Sequence, residues 1–558
     1  MEKFKKNNLS VISDLILGFF QKAFSFIFTK LGSLIFYLLI VNFASKKDAD
    51  IFFLANSIFL ILYPLSSLGL CYSVIKFFPK YNLKKMYKEV LSFITSSLVV
   101  LFIIWIIFYF ILYNLNVLAE FFRSIIFFTD NLFFGGFLKP ILSTINSNNF
   151  LDISHLYFLI WANILIATLY AFFNTILISL KKFQNSMLVD LSLQIPKLVF
   201  LPIFLFFNLS SSFFIYLSSL LGYVGGFFTS IFFISKWFSS IKEKITFNLS
   251  PSLLIQSLKF GFPFMLNSLI EVIVVQLDIL LVAYFLGNQS GMIAAYALIS
   301  NFVKNIPSFV IYPLFSSQQV ILVEENEKKS ELFKKISTNM IKWILFLGLS
   351  IAGFFVLFGK YMLLILAPSY LSFSYLFWFF IPFILADLTS ASLRMAIFAK
   401  GYIKILFIYT LIVLLSNLTL NILLIPIFSL MGAAIASSIA MVVGTLFILY
   451  YSNKKFGFMI EKKAILGIIS FLIVLFTFSY LIDLVPKIEL MASKIFFIIF
   501  LAGLYLIFYW FLIILFKGVN SKDFKIILAF FEELKIRQLE PFLNLLKKIF
   551  KFISNYTS

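Results

Sequence analysis

Fourteen stretches of about twenty apolar residues, parted by short connections, constrain this chain more than any other feature. A helix of that length spans the ~30 Å hydrocarbon core of a bilayer. The stretches run near 24–44, 51–73, 88–113, 156–180, 186–207, 213–235, 260–286, 291–320, 336–358, 371–397, 403–426, 431–451, 464–485 and 494–516. Composition agrees: 62% of the 558 residues are hydrophobic and 12% charged, where soluble domains hold about half and about a quarter. The predicted fold class is an all-α polytopic membrane protein with about 14 transmembrane helices.

The net charge of +21 is distributed in a way that argues against nucleic acid as a partner. Lysines gather in alternate connections: Lys3/Lys5/Lys6, Lys76/Lys80/Lys84/Lys85, Lys181/Lys182, Lys236/Lys242/Lys244, Lys328/Lys329/Lys334/Lys335, Lys400/Lys404 and Lys454/Lys455/Lys462/Lys463, with Lys547, Lys548 and Lys551 in the tail. The connections Asn208–Ser212, Gly287–Ser290 and Ser429–Leu430 carry no charge. Under the positive-inside rule this alternation puts both termini in the cytoplasm and the chain in the cytoplasmic (inner) membrane. The basic excess then faces membrane lipids with anionic headgroups.

An internal echo organises the spans. Val-Phe-Leu-Pro-Ile-Phe at 199–204 returns as Leu-Leu-Ile-Pro-Ile-Phe at 423–428. Tyr216–Gly225 is echoed by Ile435–Gly444, each with a Ser-Ser and a final Val-Gly. A multi-helix unit used twice is how many transporters build a pathway between two halves. The expected division is an amphipathic segment 1–23, an N-lobe 24–240 (spans 1–6), a C-lobe 250–455 (spans 7–12), two further spans in 464–516, and a cytoplasmic amphipathic tail 519–558. In the first segment Val11, Leu15, Ile16, Phe19 and Ala23 share one face. The connection 114–155 reads as helical pieces on or dipping into the membrane.

Ionisable groups inside spans cost about 2.5–3.5 kcal/mol each on insertion scales, so they face a cavity or a partner. Lys30 shares a helical face with Ser33 and Tyr37 in span 1. Asp190, Gln194 and Lys197 form a stripe in span 5, readable either as a cavity lining or as snorkelling groups. Asn267, Glu271 and Asp278 share a face of span 7, and Ser300, Lys304 and Ser308 a face of span 8. Asp387 and Arg394 stand seven apart in span 10. A cavity between two repeats would be lined by their first helices, which makes Lys30, Tyr37, Asn267 and Lys304 the substrate-binding candidates. Glu271, Asp278, Asp387 and Arg394 are candidates for coupling or for structural ion pairs, Glu271 with Lys304 among them. Lysine ammoniums in an apolar surround suit an anionic amphiphile, because they hold phosphate oxygens as point charges. No cofactor is expected, and the carboxylates leave H+ or Na+ coupling open.

Other chemistry finds little support. Cys71 is the single cysteine and His155 the single histidine, which leaves no disulfide and no cysteine metal site to build. Asp48-Ala-Asp50 resembles the acidic, metal-binding pair of membrane glycosyltransferases. Ser45-Lys-Lys-Asp48 reads more simply as a capping box that opens span 2. An envelope glycan polymerase, ligase or lipid-sugar glycosyltransferase is the alternative of a different class, and it calls for a larger outer loop.

Three segments carry a family resemblance. Asn417-Leu-Thr-Leu-Asn421-Ile-Leu-Leu-Ile-Pro426 through Gly432-Ala-Ala-Ile-Ala-Ser-Ser resembles spans 11–12 of the polysaccharide flippases in the multidrug/oligosaccharidyl-lipid/polysaccharide (MOP) exporter superfamily. Phe43–Pro79, with Leu68-Gly-Leu70 and Lys76-Phe-Phe-Pro79, resembles their span 1–2 region. Lys259-Phe-Gly-Phe-Pro263, followed by Asp278 and Phe285-Leu-Gly287, is similar to their span 7. Ile51 stands where relatives often have glycine, and arginine is scarce in the spans. The resemblance implies two six-helix lobes that rock in alternating access. It also implies a polyprenyl-pyrophosphate-linked glycan as cargo for surface polysaccharide assembly, with contacts to a glycan polymerase or glycosyltransferases open. A lipid II flippase or a cation-coupled drug exporter of the same superfamily is the nearer alternative.

Overall fold

A computed structural model describes residues 2–83, 86–114, 153–239, 250–287, 289–305, 331–400, 402–456, 462–482, 491–516 and 518. The connection 115–152, the far part of span 8 and the tail from 519 lie outside the described residues. Among those described there is no strand. The helices are α1 (Glu2–Phe43), α2 (Lys46–Ser67), α3 (Leu70–Leu83), α4 (Tyr87–Tyr113), α5 (Tyr157–Ser179), α6 (Phe183–Phe206), α7 (Ser212–Ser239) and α8 (Pro251–Leu286). They continue with α9 (292–305), α10 (Glu331–Leu366), α11 (Leu376–Phe379), α12 (Ile381–Ala399), α13 (Ile403–Phe456), α14 (Lys462–Ile482) and α15 (Met491–Leu515). Eleven of the described helices are long and apolar enough to cross a membrane, which makes this a multi-pass membrane protein.

Where the expected spans fall on described residues they coincide largely with helix, and the departures have local causes. Residues 2–43 form one helix with no interruption at residue 23. Ser45 caps α2 by accepting the Asp48 N–H at 3.0 Å, so the helix begins five residues before the expected 51. It also ends early, because Leu68 and Gly69 take left-handed conformations (φ 43° and 76°) and a new helix, α3, starts at Leu70. Span 10, expected as 371–397, is a 3-10 turn at Pro368–Phe373, the single-turn α11 and then α12. Pro382 sits in the first turn of α12, and without an N–H it cannot carry α11 forward as one helix.

The long α13 is two antiparallel spans. Ser429 has non-helical backbone (φ 56°, ψ −138°) just after the second Pro-Ile-Phe. Across the bend, Asn417 donates to Ser437 Oγ at 3.4 Å and Tyr409 to Met441 at 3.4 Å. At its tip a Cβ on Gly432 would lie 2.1 Å from the Leu424 carbonyl oxygen, so only glycine admits so close a turn. The first Pro-Ile-Phe ends α6 in the same manner, with Asn208 left-handed (φ 58°) before α7 folds back.

Helices α1–α7 form one unit and α8–α13 a second, with α14 and α15 packed on α10 of the second. Tyr505 and Tyr509 of α15 donate to the carbonyls of Ser350 (2.9 Å) and Phe346 (3.0 Å) on α10. Trp105 of α4 and Trp161 of α5 stack at 3.8 Å and exchange indole-to-carbonyl bonds. The units meet along α2 and α3 against α8. There Gly69 and Gly261 touch backbone to backbone, a Cβ on Gly69 falling 2.1 Å from the Gly261 oxygen, and Ser73 donates to the Ser257 carbonyl at 2.6 Å.

Candidate functional site

Among the described residues Asp278 collects four side-chain donors. It is fully buried on α8 and accepts from Lys304 Nζ at 2.6 Å, Tyr296 OH at 2.9 Å, Asn421 Nδ2 at 2.8 Å and Ser437 Oγ. The four donors come from α9 and from both arms of α13. Asn417 supports Asn421 through its Oδ1 at 3.0 Å. A buried carboxylate needs this density of donors and a nearby cation, since leaving water costs several kcal/mol.

Lys304 is therefore paired with Asp278 and not with Glu271, the partner its sequence position suggests. Glu271 lies exposed on α8 and accepts from Asn267 Nδ2 at 3.0 Å. Asp387 and Arg394 form the other pair on α12, at 2.8 Å, and the guanidinium lies 5.2 Å from the Tyr409 ring centre. Glu271 is near enough to Arg394 to interact with it electrostatically.

One residue beyond Lys304, the chain turns to the opposite unit. Lys30 Nζ of α1 donates to Asn305 Oδ1 at 2.6 Å. Asn305 in turn donates to the Asn301 carbonyl at 2.6 Å. Thus α9 presents Lys304 to the interior of its own unit and Asn305 to the first unit. Among the described residues Lys30 has no acidic partner, and the Phe26 ring centre lies 5.6 Å from its ammonium. Both Lys30 and Asn305 stand thirteen residues, about 20 Å at ~1.5 Å per residue, from the lysine-poor ends of their helices. Tyr37 does not join them: its ring packs on Phe52 (6.3 Å) and Phe53 (5.2 Å) inside the first unit.

The acidic pair at the start of α2 has a role not read from the sequence. Asp48 accepts the Ser45 hydroxyl at 2.5 Å and the Ser212 N–H at 2.8 Å, capping α7. Asp50, buried, accepts the N–H groups of Gly291 at 2.5 Å and Ala294 at 2.7 Å. It therefore caps α9 of the second unit from the first, and the positive end of that helix stabilises its charge. All four carboxylate oxygens are engaged at two different helix ends, which argues against a shared metal. Asn42 adds a bond across the same end, to the Leu366 carbonyl. These bonds tie the two units together at that end.

The first unit has a polar centre of its own. Asp190 accepts from Ser25 (2.5 Å), Tyr170 (2.7 Å) and Asn174 (2.7 Å). Toward the middle of α6, Gln194 donates to Ser33 at 3.4 Å, and the Lys197 ammonium lies 4.6 Å from the Tyr223 ring centre. Sequence reasoning missed Asn305, Asn421 and Ser437 as partners. The Asn417/Asn421 spacing of four, in a segment already singled out, was the available signal.

The described helices thus form an all-α membrane fold in which Asp50 and Asn42 bond across one end and Lys30 bonds Asn305 between α1 and α9. The chain is similar to a solved lipid II flippase, MurJ, in an inward closed conformation: TM-score 0.62, 19% identity, 87% of this chain and 97% of that one. It is also similar to an inward-facing multidrug resistance MATE family transporter of the MOP superfamily (TM-score 0.60, 13% identity, 76% and 94%) and to a MATE structure in a straight conformation (0.53, 15%, 79% and 95%). At these identities the likeness is one of fold. No family model and no curated protein sequence matches the chain.

Proposed function

We propose that the chain is a flippase that carries a polyprenyl-pyrophosphate-linked oligosaccharide across the cytoplasmic membrane, by alternating access, for surface polysaccharide assembly. The observation that carries this reading is Lys30. Its ammonium lies where the two units meet, is held by a neutral carboxamide, and has no carboxylate beside it among the described residues. Lys304, the other lysine there, is neutralised by Asp278. A diphosphate supplies the countercharge Lys30 lacks, and the apolar exterior of the spans leaves the polyprenyl tail in the bilayer. The lysine-rich connections support a cytoplasmic position for both termini under the positive-inside rule; in that orientation the end tied by Asp50 faces outward and the cargo enters from inside.

Rocking would break the Asp50 and Asn42 contacts and form a closed inner end. An inside-negative potential favours outward movement of a diphosphate by ~2.3 kcal/mol per charge per 100 mV, so no ion gradient is required. A glycan polymerase and glycosyltransferases are the expected partners at the two faces.

The test is deletion of the gene, followed by mass spectrometry of the lipid carriers. Accumulation of a polyprenyl-pyrophosphate oligosaccharide, with loss of surface glycan restored by the wild type and not by Lys30→Ala, supports the reading. Accumulation of the peptidoglycan precursor instead assigns the lipid II cargo and overturns it.

A further inference from the structure

We propose that the first unit holds a second phosphate site, built from Lys197, Gln194 and Tyr223, that receives the cargo headgroup apart from Lys30. Three observations converge on it. Lys197 is only 8% exposed, and among the described residues it meets no carboxylate and no hydrogen-bond acceptor; its contact is the Tyr223 ring face at 4.6 Å. It stands fourteen residues from one end of α6 and nine from the other, about 21 Å and about 14 Å, too deep to reach either headgroup layer from its backbone position. One turn away Gln194, 3% exposed, keeps its Oε1 without a partner. An unpaired ammonium one helical turn from an unpaired carboxamide oxygen suits a ligand with both acceptor and donor atoms, as a phosphate ester of a sugar has.

The surroundings are shaped to this lysine. Gly222 of α7 has no side chain where a Cβ would lie 2.4 Å from Lys197 Cγ and 2.8 Å from Cε. The glycine thus leaves the channel in which the lysine lies. The internal repeat gives the site a counterpart. Lys197 precedes Pro202 by five residues, and Asn421 precedes Pro426 by five. Asn421 is a ligand of Asp278, whose charge is balanced by Lys304. In the second unit the centre thus contains its own ion pair. In the first unit the equivalent position is a cation with no acidic partner among the described residues. Asp190 does not supply it, being bonded to Ser25, Tyr170 and Asn174 one to two turns away.

The identity of the headgroup rests on the flippase reading, whereas the site is tested by binding alone. The full chain carrying Lys30→Ala, which removes the first diphosphate contact and is wild type at 194 and 197, is titrated in phosphatidylcholine nanodiscs with geranylgeranyl pyrophosphate by thermophoresis, alongside the same protein with Lys197→Met, Lys197→Arg or Gln194→Leu added. Lys197→Met should weaken binding at least tenfold without lowering the unfolding temperature, and Lys197→Arg should stay within about threefold of wild type. Should Lys197→Met not fold, Gln194→Leu carries the test with the same expected loss. Binding by the folded variant within twofold of wild type overturns the site. A repeat in phosphatidylglycerol nanodiscs separates the sources of phosphate: tenfold weaker apparent binding in wild type but not in Lys197→Met would give the site to bilayer lipid and overturn its assignment to cargo. A wild type that binds through Lys197 yet fails to flip lipid-linked glycan contradicts the function and leaves the site standing.

Discussion

The carboxylate of Asp50 on α2 accepts the backbone N–H of Gly291, 241 positions away in the second unit, at 2.5 Å. With Ala294 as second donor it caps α9 and ties the lysine-poor ends of the two units together. Under the proposed alternating access the contact breaks when that end opens, so it would set part of the free-energy difference between the two states.

Asp50→Ala removes two charge-assisted bonds from a buried site, at about 3 kcal/mol. The expected result is a lower unfolding temperature and a several-fold faster reaction of an impermeant maleimide with a cysteine placed at Tyr370, in a Cys71→Ser background. Unchanged labelling would show that the end is held shut by other contacts.

Removal of the charge on Asp278 leaves Lys304 buried and unpaired, so Asp278→Asn should destabilise the fold by about 3–5 kcal/mol. The double variant Asp278→Asn/Lys304→Met should recover most of that loss. A thermal-unfolding double-mutant cycle reads the coupling directly. Additive losses would mean that the two residues do not act as a pair.

Gly69→Ala should be severe, because the residue is left-handed (φ 76°) and its Cβ would meet the Gly261 oxygen at 2.1 Å. The contact between α3 and α8 would have to open, with loss of flipping and of stability. Gly503→Ala on α15 is the control: nothing lies within 4 Å of its Cβ, and it should be neutral or stabilising by up to about 1 kcal/mol.

A diphosphate cargo moving outward should respond to voltage. In proteoliposomes with equal salt and pH on both sides, a potassium diffusion potential set negative on the side of cargo entry should speed flipping. Each translocated charge contributes ~2.3 kcal/mol per 100 mV. Flipping that ignores voltage and needs a sodium or proton gradient would return the coupling role to the buried carboxylates.

The spans were legible because the bilayer demands a length of apolar chain that no local packing detail can disguise. The break at Leu68–Gly69 was not, since it exists to bring one backbone against Gly261, 192 positions further on in the sequence. The spacing of Asn267, Glu271 and Asp278 puts them on one helical face. Yet seven residues along a helix is about 10 Å, enough to carry Glu271 into the open while Asp278 stays sealed among α9 and α13. Helical periodicity shows which way a residue faces, whereas what it meets there depends on the helices packed against it, distant in sequence. Asp50 was hidden for the same reason. Its partners are backbone N–H groups, which have no signature in side-chain chemistry.

The most direct test of the role given to Lys30 is flipping of a fluorescent polyprenyl-pyrophosphate oligosaccharide in proteoliposomes, read by quencher protection over time. The wild type should flip it, and folded Lys30→Ala should do so at least tenfold more slowly, with Lys30→Arg largely restoring the rate. A Lys30→Ala protein that flips the lipid as fast as the wild type would contradict the assignment of the diphosphate to this lysine, and a wild type that does not flip it at all would contradict the function.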